Sequence, residues 1–318
     1  MGGGDATLGC AAGVGGNLSS IMNAPEPPKF RDAALVDFGG PPGRGRRLER
    51  LGGVLVDRPL PHATGPRRLP GLWQKAGAAY RADTDGRREG WWFPRPVPDP
   101  WRVAVDVGAA TLALEVRPAP SGQVGVFLEQ VEQWRWLAAA APRGGTVLSL
   151  FGHSGAASLA LAVGGAEVVH VDASRQAIAL ARRNAEASGL AHLPIRWVCE
   201  DATTFVARQA RRGGRFAGAV LDPPSWGHGP KGQPFAIDRD LEPLVAAVTR
   251  LVEPPAGPVL LTCHSPGWRR DRLEATLTGS LRAAGLDGGT AEAGVLACSD
   301  ESGRSLSLGD FARWTPSR

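Results

Sequence analysis

The chain has 318 residues, room for two domains at roughly 100–200 residues each. Hydrophobic residues make up 43%, which supports a packed core and excludes a wholly disordered chain. The net charge of +5, from 36 basic and 31 acidic residues, permits a nucleic-acid partner without requiring one. No apolar run reaches about 18 residues, so no membrane span is expected. Cys10, Cys199, Cys263 and Cys298 have neither metal-ligand spacing nor the look of a disulfide framework. No metal is expected, and a reducing, cytoplasmic compartment fits.

In chain order, residues 1–30 are rich in Gly, Ala and Ser and read as a disordered leader, without the marks of a transit or secretory signal. Met22 is a candidate start. Residues 31–125 read as a small β-rich domain with long loops. Short apolar runs such as Val54-Leu55-Val56 and Trp101–Val105 lie between Pro/Gly clusters, and Leu112–Arg117 approaches strand alternation. Eight prolines between Pro59 and Pro100 oppose long helices. Arg44, Arg46, Arg47 and Arg50 form a basic cluster that reads either as a solvated turn or as a phosphate-contacting loop.

Residues 126–318 read as a second domain. A helix is predicted over 129–141. Strands at 147–151, 168–171, 195–199, 219–222 and 259–263 then alternate with helices at 155–163, 174–188, 202–212, 241–251 and 269–284. One or two tail strands follow around Val295 and Leu306. This alternation predicts an α/β fold, a mostly parallel, Rossmann-like sheet with helices on both faces.

Ligands bind such sheets at the carboxyl ends of the strands, so the residues following each strand carry the chemistry. After the first strand comes Phe151-Gly152-His153-Ser154-Gly155, a tight turn into a helix. Its Gly spacing is not G-x-G-x-x-G, which disfavours a dinucleotide and hence a dehydrogenase. Asp172, followed by Ala173 and Ser174, can accept from ribose hydroxyls or simply sit beside a helix cap. Asp201 can accept from an adenine amino group, with the Ala202 amide reaching a ring nitrogen, and can also cap the next helix. Asp222-Pro223-Pro224-Ser225-Trp226 is the strongest local signal. Prolines remove backbone donors and stiffen the turn, Asp222 presents acceptors to a planar amine, and Trp226 offers a face to a base. The plainer alternative is a structural Pro-Pro turn with a buried Trp.

Together these segments resemble class I S-adenosylmethionine-dependent methyltransferases. They resemble most the large-subunit ribosomal RNA methyltransferases of the I and K types, which act on 23S rRNA. Leu150–Ser158 looks like that family's cofactor loop, Val171–Ser174 its ribose segment, Glu200–Ala202 its adenine segment and Asp222–Trp226 its Asp-Pro-Pro-x-aromatic motif. Gly122–Gln130 is similar to the family's lead-in. The similarity spans about residues 120–270. It implies S-adenosylmethionine as cofactor and ribosomal RNA as partner, with Asp222, Pro223, Pro224 and Trp226 in the catalytic motif.

Three departures stand out. Ser149 replaces an acid usual in the first strand, and Val131 replaces an Arg. Aligned on Thr262 and Gly267, the family's nucleophilic Cys falls at Ser265, with Cys263 two residues early. Cytosine C5 methylation needs a thiolate adduct. A base nitrogen or exocyclic amine is therefore the expected acceptor, unless Cys263, with His264 beside it, serves as the nucleophile. Lys231, one of three lysines, is either a substrate-phosphate contact or a solvated side chain. Cys199 and Cys298 read as core residues. A non-catalytic cofactor-binding RNA- or ribosome-associated module, and a methyltransferase of a protein or small molecule, are the alternatives. The oligomeric state is not legible.

Overall fold

The computed structural model describes residues 1, 32–82, 89–228, 234–254 and 257–317. The expected leader, apart from Met1, and Lys231 lie outside these residues. Strands β1 (Ala33–Gly39), β2 (Arg46–Leu51), β3 (Val54–Pro59), β4 (Ala78–Ala82) and β5 (Glu89–Trp92) form one sheet in that order, with the short helix α1 (Pro70–Trp73) between β3 and β4. A separate hairpin, β6 (Arg102–Asp106) and β7 (Thr111–Glu115), follows.

The arginine cluster lies mostly in a strand rather than in a solvated turn or loop. Three of its four members lie in β2, where strand alternation sends Arg46 and Arg50 to one face and Arg47 and Glu49 to the other. Arg46 bonds Asp57 Oδ1 at 2.6 Å, Arg50 reaches Glu301 at 2.8 Å, and Arg47 is buried. Much of the local positive charge is thus matched inside the protein.

The chain then runs through a 3-10 turn (Leu128–Gln130) into α2 (Val131–Ala140), which together occupy the span predicted as one helix. Next come β8 (Thr146–Leu150), α3 (Ala156–Val163), β9 (Glu167–Asp172), α4 (Arg175–Ala187), β10 (Ile195–Cys199), α5 (Ala202–Arg211) and β11 (Gly218–Leu221). A small hairpin, β12 (Trp226–His228) and β13 (Pro234–Ala236), leads to α6 (Ile237–Thr249), β14 (Val259–Cys263), α7 (Arg270–Ala283) and the long hairpin β15 (Gly289–Ser299) and β16 (Ser305–Pro316).

Helix α6 starts four residues before the predicted position. Asp238 and Asp240 in its first turn favour the helix dipole, and the Asp240 carboxylate accepts the Ala236 N–H at 2.8 Å. Pro243 forfeits only one intrahelical bond there.

The main sheet has the order β10-β9-β8-β11-β14-β16-β15, parallel except where β16 pairs with β14 and β15. This is a Rossmann-like fold. Strand alternation divides its core in two. Val147, Val168 and Val220 pack on one face with Leu137 of α2 and Leu159 of α3, while Leu148, Val169 and Leu221 pack on the other with Phe205 of α5 and Leu241 of α6. Leu51, Val103 and Leu112 join the first cluster, so the β-rich segments share that core.

A second tie is ionic. Buried Asp37 in β1 accepts from Trp73 Nε1 at 2.7 Å and from Arg304 Nη2, in the β15–β16 turn, at 2.6 Å. Burial opposes the Asp37 charge, but the bonds from Trp73 and the Leu69 and Arg68 amides outweigh it and lower its pKa. Chain order reverses at β8, which lies between β9 and β11, and a cleft opens beyond those strand ends.

Candidate functional site

The turn after β8 is strained. Phe151 and His153 have φ of 55° and 42°, unusual for non-glycine residues. Asp172, at the end of β9, holds it: one carboxylate oxygen accepts the His153 N–H at 2.9 Å and the other the Ser174 N–H at 2.8 Å. Ser174 caps α4 by accepting from the Ala177 N–H at 3.2 Å. Beneath the turn, His170 lies against Gly152, leaving no space for a β-carbon. Burial, with a smaller push from His153, drives the His170 pKa down to about 3, so its ring is neutral. Ser158 Oγ lies 2.9 Å from its Nδ1.

Asp201 caps α5. Its Oδ1 accepts from the Thr204 N–H at 2.8 Å and Thr203 Oγ1 at 2.5 Å. Ala202 opens that helix, so its N–H has no intrahelical acceptor.

Asp222 follows β11. Thr262 Oγ1 donates to its Oδ1 at 2.7 Å, and Gln130 Nε2 donates to its Oδ2 at 3.3 Å. His264 stands beside it, with Nε2 3.7 Å from Asp222 Oδ1. Its Nδ1 donates to the Leu308 carbonyl at 2.8 Å, so in the neutral ring Nε2 is the acceptor nitrogen. Burial opposes a charge on His264, but Asp222 and Glu129 outweigh it and raise its pKa.

A cavity of about 720 Å³ joins these groups. Phe151, His153, Asp172, Ala173, Ser174, Asp201, Ala202, Asp222, Pro223 and Pro224 all line it. Gly152 and Ser154 border a smaller recess of about 40 Å³, shared with Ser149, Gln130 and Asp222. Gly155 forms the N-cap of α3 with φ 81°. Trp226 is 61% exposed, and its neighbours Ser225 and Gly227 line the cavity rather than its own ring.

Phe127, Glu129 and Gln130, which the sequence places in the lead-in segment without individual roles, also border the cavity or its recess, as do Arg47 of the basic cluster and His264, expected only as a neighbour of Cys263.

Cys263 is 1% exposed and accepts the Ser265 N–H at 3.4 Å, and burial pushes its thiol pKa up. Ser265, at the position matched to the family's nucleophile, has its Oγ 2.6 Å from Ser225 Oγ. The expectation that Cys199 is a core residue is corrected. It is exposed at the end of β10, where its thiol meets the Ala173 carbonyl. Cys298 is partly buried. Among the described residues no helix is long and apolar enough to cross a membrane, and no His/Cys/Asp/Glu group could hold a metal ion.

The residues present fit S-adenosylmethionine. The Gly152 turn has no β-carbon to block a close approach, Asp172 offers carboxylate lone pairs for a ribose diol, and the unused Asp201 oxygen and Ala202 N–H match an adenine edge. No family model matches the chain. The crystal structure of the S-adenosylmethionine-dependent methyltransferase from Agrobacterium tumefaciens superposes with a TM-score of 0.79 at 33% identity, covering 90% of this chain and 91% of that one. The chain belongs to the S-adenosylmethionine-dependent methyltransferases.

More particular likenesses are partial. Ribosomal RNA large subunit methyltransferase I of Aeromonas hydrophila is 32% identical over 172 residues, 54% of this chain and 42% of that protein. Its Aeromonas salmonicida counterpart is 32% identical over 128 residues, 40% of this chain and 32% of that protein. The matches thus span less than half the length of these curated relatives.

Proposed function

We propose that the protein methylates RNA, and ribosomal RNA in particular, at a base nitrogen or exocyclic amine rather than at cytosine C5. The observation that carries the acceptor is the burial of Cys263: its thiol faces the core, burial disfavours the thiolate, and Ser265 stands where the family has its nucleophile. The partial likeness to the ribosomal RNA methyltransferases supports the substrate class.

When bound, S-adenosylmethionine supplies a methyl group activated on a sulfonium. On this reading Asp172, Asp201 and Ala202, with the turn Phe151–Gly155, hold that cofactor. Asp222, fixed by Thr262 and Gln130, accepts hydrogen bonds from the acceptor amine and orients its lone pair. Neutral His264 takes at Nε2 the proton that a methylated amine must release. Pro223 and Pro224 keep the wall rigid and without donors, and Trp226 offers a stacking face at its rim. Residues 31–125 form the domain that positions substrate.

A second reading rests on Ser149: without the acid usual at that strand position, the chain binds cofactor without turning over. Titration with adenosylhomocysteine, followed by incubation of total RNA with tritium-labelled cofactor, separates the two. Binding with transfer to RNA is expected, binding without transfer favours the second reading, and no binding by folded protein overturns both. In the same titration Asp172→Ala loosens the complex about tenfold to a hundredfold, because it loses both the ribose acceptor and the support of the His153 turn.

A further inference from the structure

We infer that Arg47 is an anion seat in the wall of the cavity, and that the group it takes is the phosphate of the acceptor nucleotide. The identity of that ligand rests on the RNA reading above; the seat itself rests on geometry.

Arg47 is 5% exposed and borders the cavity from β2, far in sequence from every motif residue. Among the described residues its Nε and Nη1 have no hydrogen-bond partner. The carboxylate beside it is already engaged. Glu49 takes Arg58 Nε at 2.5 Å and Arg58 Nη2 at 3.1 Å, while its Oε2 lies 3.5 Å from Arg47 Nε, too far for a good hydrogen bond. Glu129, another acid of this wall, lies 3.9 Å from His264 Nδ1.

A guanidinium cannot escape by discharging, so two donors that the described residues leave unmet, beside a Glu49 ion pair at 3.5 Å, leave room for a further acceptor. Burial pulls the Arg47 pKa down against the opposing charges of Glu49 and Glu129. An unmet guanidinium N–H suits an oxyanion, and Nε–H and Nη1–H, on different edges of the group, each offer one. Gln123 adds a neutral donor to the same wall: Arg58 Nη1 donates to its Oε1 at 3.2 Å, which leaves the amide NH2 for the cavity. Leu60, Ala119 and Ser121 around them are uncharged. A nucleotide that places its base edge at Asp222 brings a phosphate into this cavity, and among the described residues Arg47 is the arginine that borders it. The N-terminal sheet then contributes directly to substrate binding.

The test uses full-length protein saturated with adenosylhomocysteine, titrated with the four ribonucleosides and their 5′-monophosphates. For at least one base the monophosphate is expected to bind about tenfold tighter than the nucleoside, the scale of one charge-assisted pair. Arg47→Gln should cut that preference below about threefold, Arg47→Lys should keep part of it, and both should bind adenosylhomocysteine like wild type. If Arg47→Gln does not fold, the wild-type preference and its partial loss in Gln123→Ala carry the test.

No phosphate preference in wild type, or a full preference in Arg47→Gln, overturns the inference. So does a variant that keeps the preference but loses adenosylhomocysteine affinity, which would assign Arg47 to the cofactor's carboxylate. A phosphate preference without any methylation of ribosomal RNA overturns the RNA reading alone.

Discussion

Asp222→Ala is expected to lower the turnover of RNA methylation by roughly a hundredfold to a thousandfold, with adenosylhomocysteine affinity within about threefold of wild type. The carboxylate touches neither of the cofactor-side acids. Its bonds run to Thr262 and Gln130, and His264 stands at 3.7 Å. Its loss removes the group that orients the acceptor and leaves the cofactor's own contacts intact.

The same variant should shift the pH profile. His264 must be neutral to take a proton, so turnover falls as pH drops through its raised pKa, which lies above the ordinary value of about 6.5. Asp222 is the larger of the two charges holding that pKa up. Without it, the residual activity of Asp222→Ala should lose its acid limb at a lower pH than wild type. Unchanged turnover, or an acid limb that stays in place, would remove Asp222 from the reaction.

Gly152→Ala should be the most damaging single change to cofactor binding. A β-carbon at residue 152 would stand 2.5 Å from His170 Nδ1 and 2.9 Å from Nε2, and closer still to Cε1. That ring is buried between Ser158 and Trp197 and cannot swing away as a flexible side chain would. The strained Phe151–His153 turn must move instead. Overpacking of this kind costs about 1–3 kcal/mol of stability, measurable by urea unfolding. Adenosylhomocysteine affinity should fall at least about a hundredfold, because the displaced turn no longer presents its backbone. Adding His170→Ser, which opens the space, should restore part of both losses. A single variant with wild-type affinity would mean that the turn is not part of the cofactor site.

What the sequence reveals and what it hides follow from distance along the chain. Asp172, Asp201 and Asp222 each end or follow a strand, so a strand pattern and a few polar residues locate them without any tertiary information. The caps Ser174 and Asp201 are local in the same sense and occur as expected. Arg47 of β2, Glu129 of the 3-10 turn and His264 after β14 border the same cavity, and no local pattern announces that they meet. Arg47 shows this most clearly. Within Arg46-Arg47-Leu48-Glu49-Arg50-Leu51 four charged residues surround two leucines, so that a strand with one face buried resembles a solvated turn. Its charges are matched by Asp57, Arg58 and Glu301, residues that become neighbours only on folding. His264 was read beside a thiol because it follows Cys263. Strand alternation points the two side chains apart, one into the core and one into the cavity.

The central claim is methyl transfer to RNA without a cysteine nucleophile, and nucleoside mass spectrometry tests it most directly. Ribosomal RNA from a deletion strain is compared with its parent and with strains complemented by wild type, Cys263→Ser or Asp222→Ala. One N-methylated nucleoside should disappear on deletion, return with wild type and with Cys263→Ser, and stay absent or strongly depleted with Asp222→Ala. A deletion strain that loses no nucleoside, or loses 5-methylcytidine that Cys263→Ser does not restore, would contradict the account.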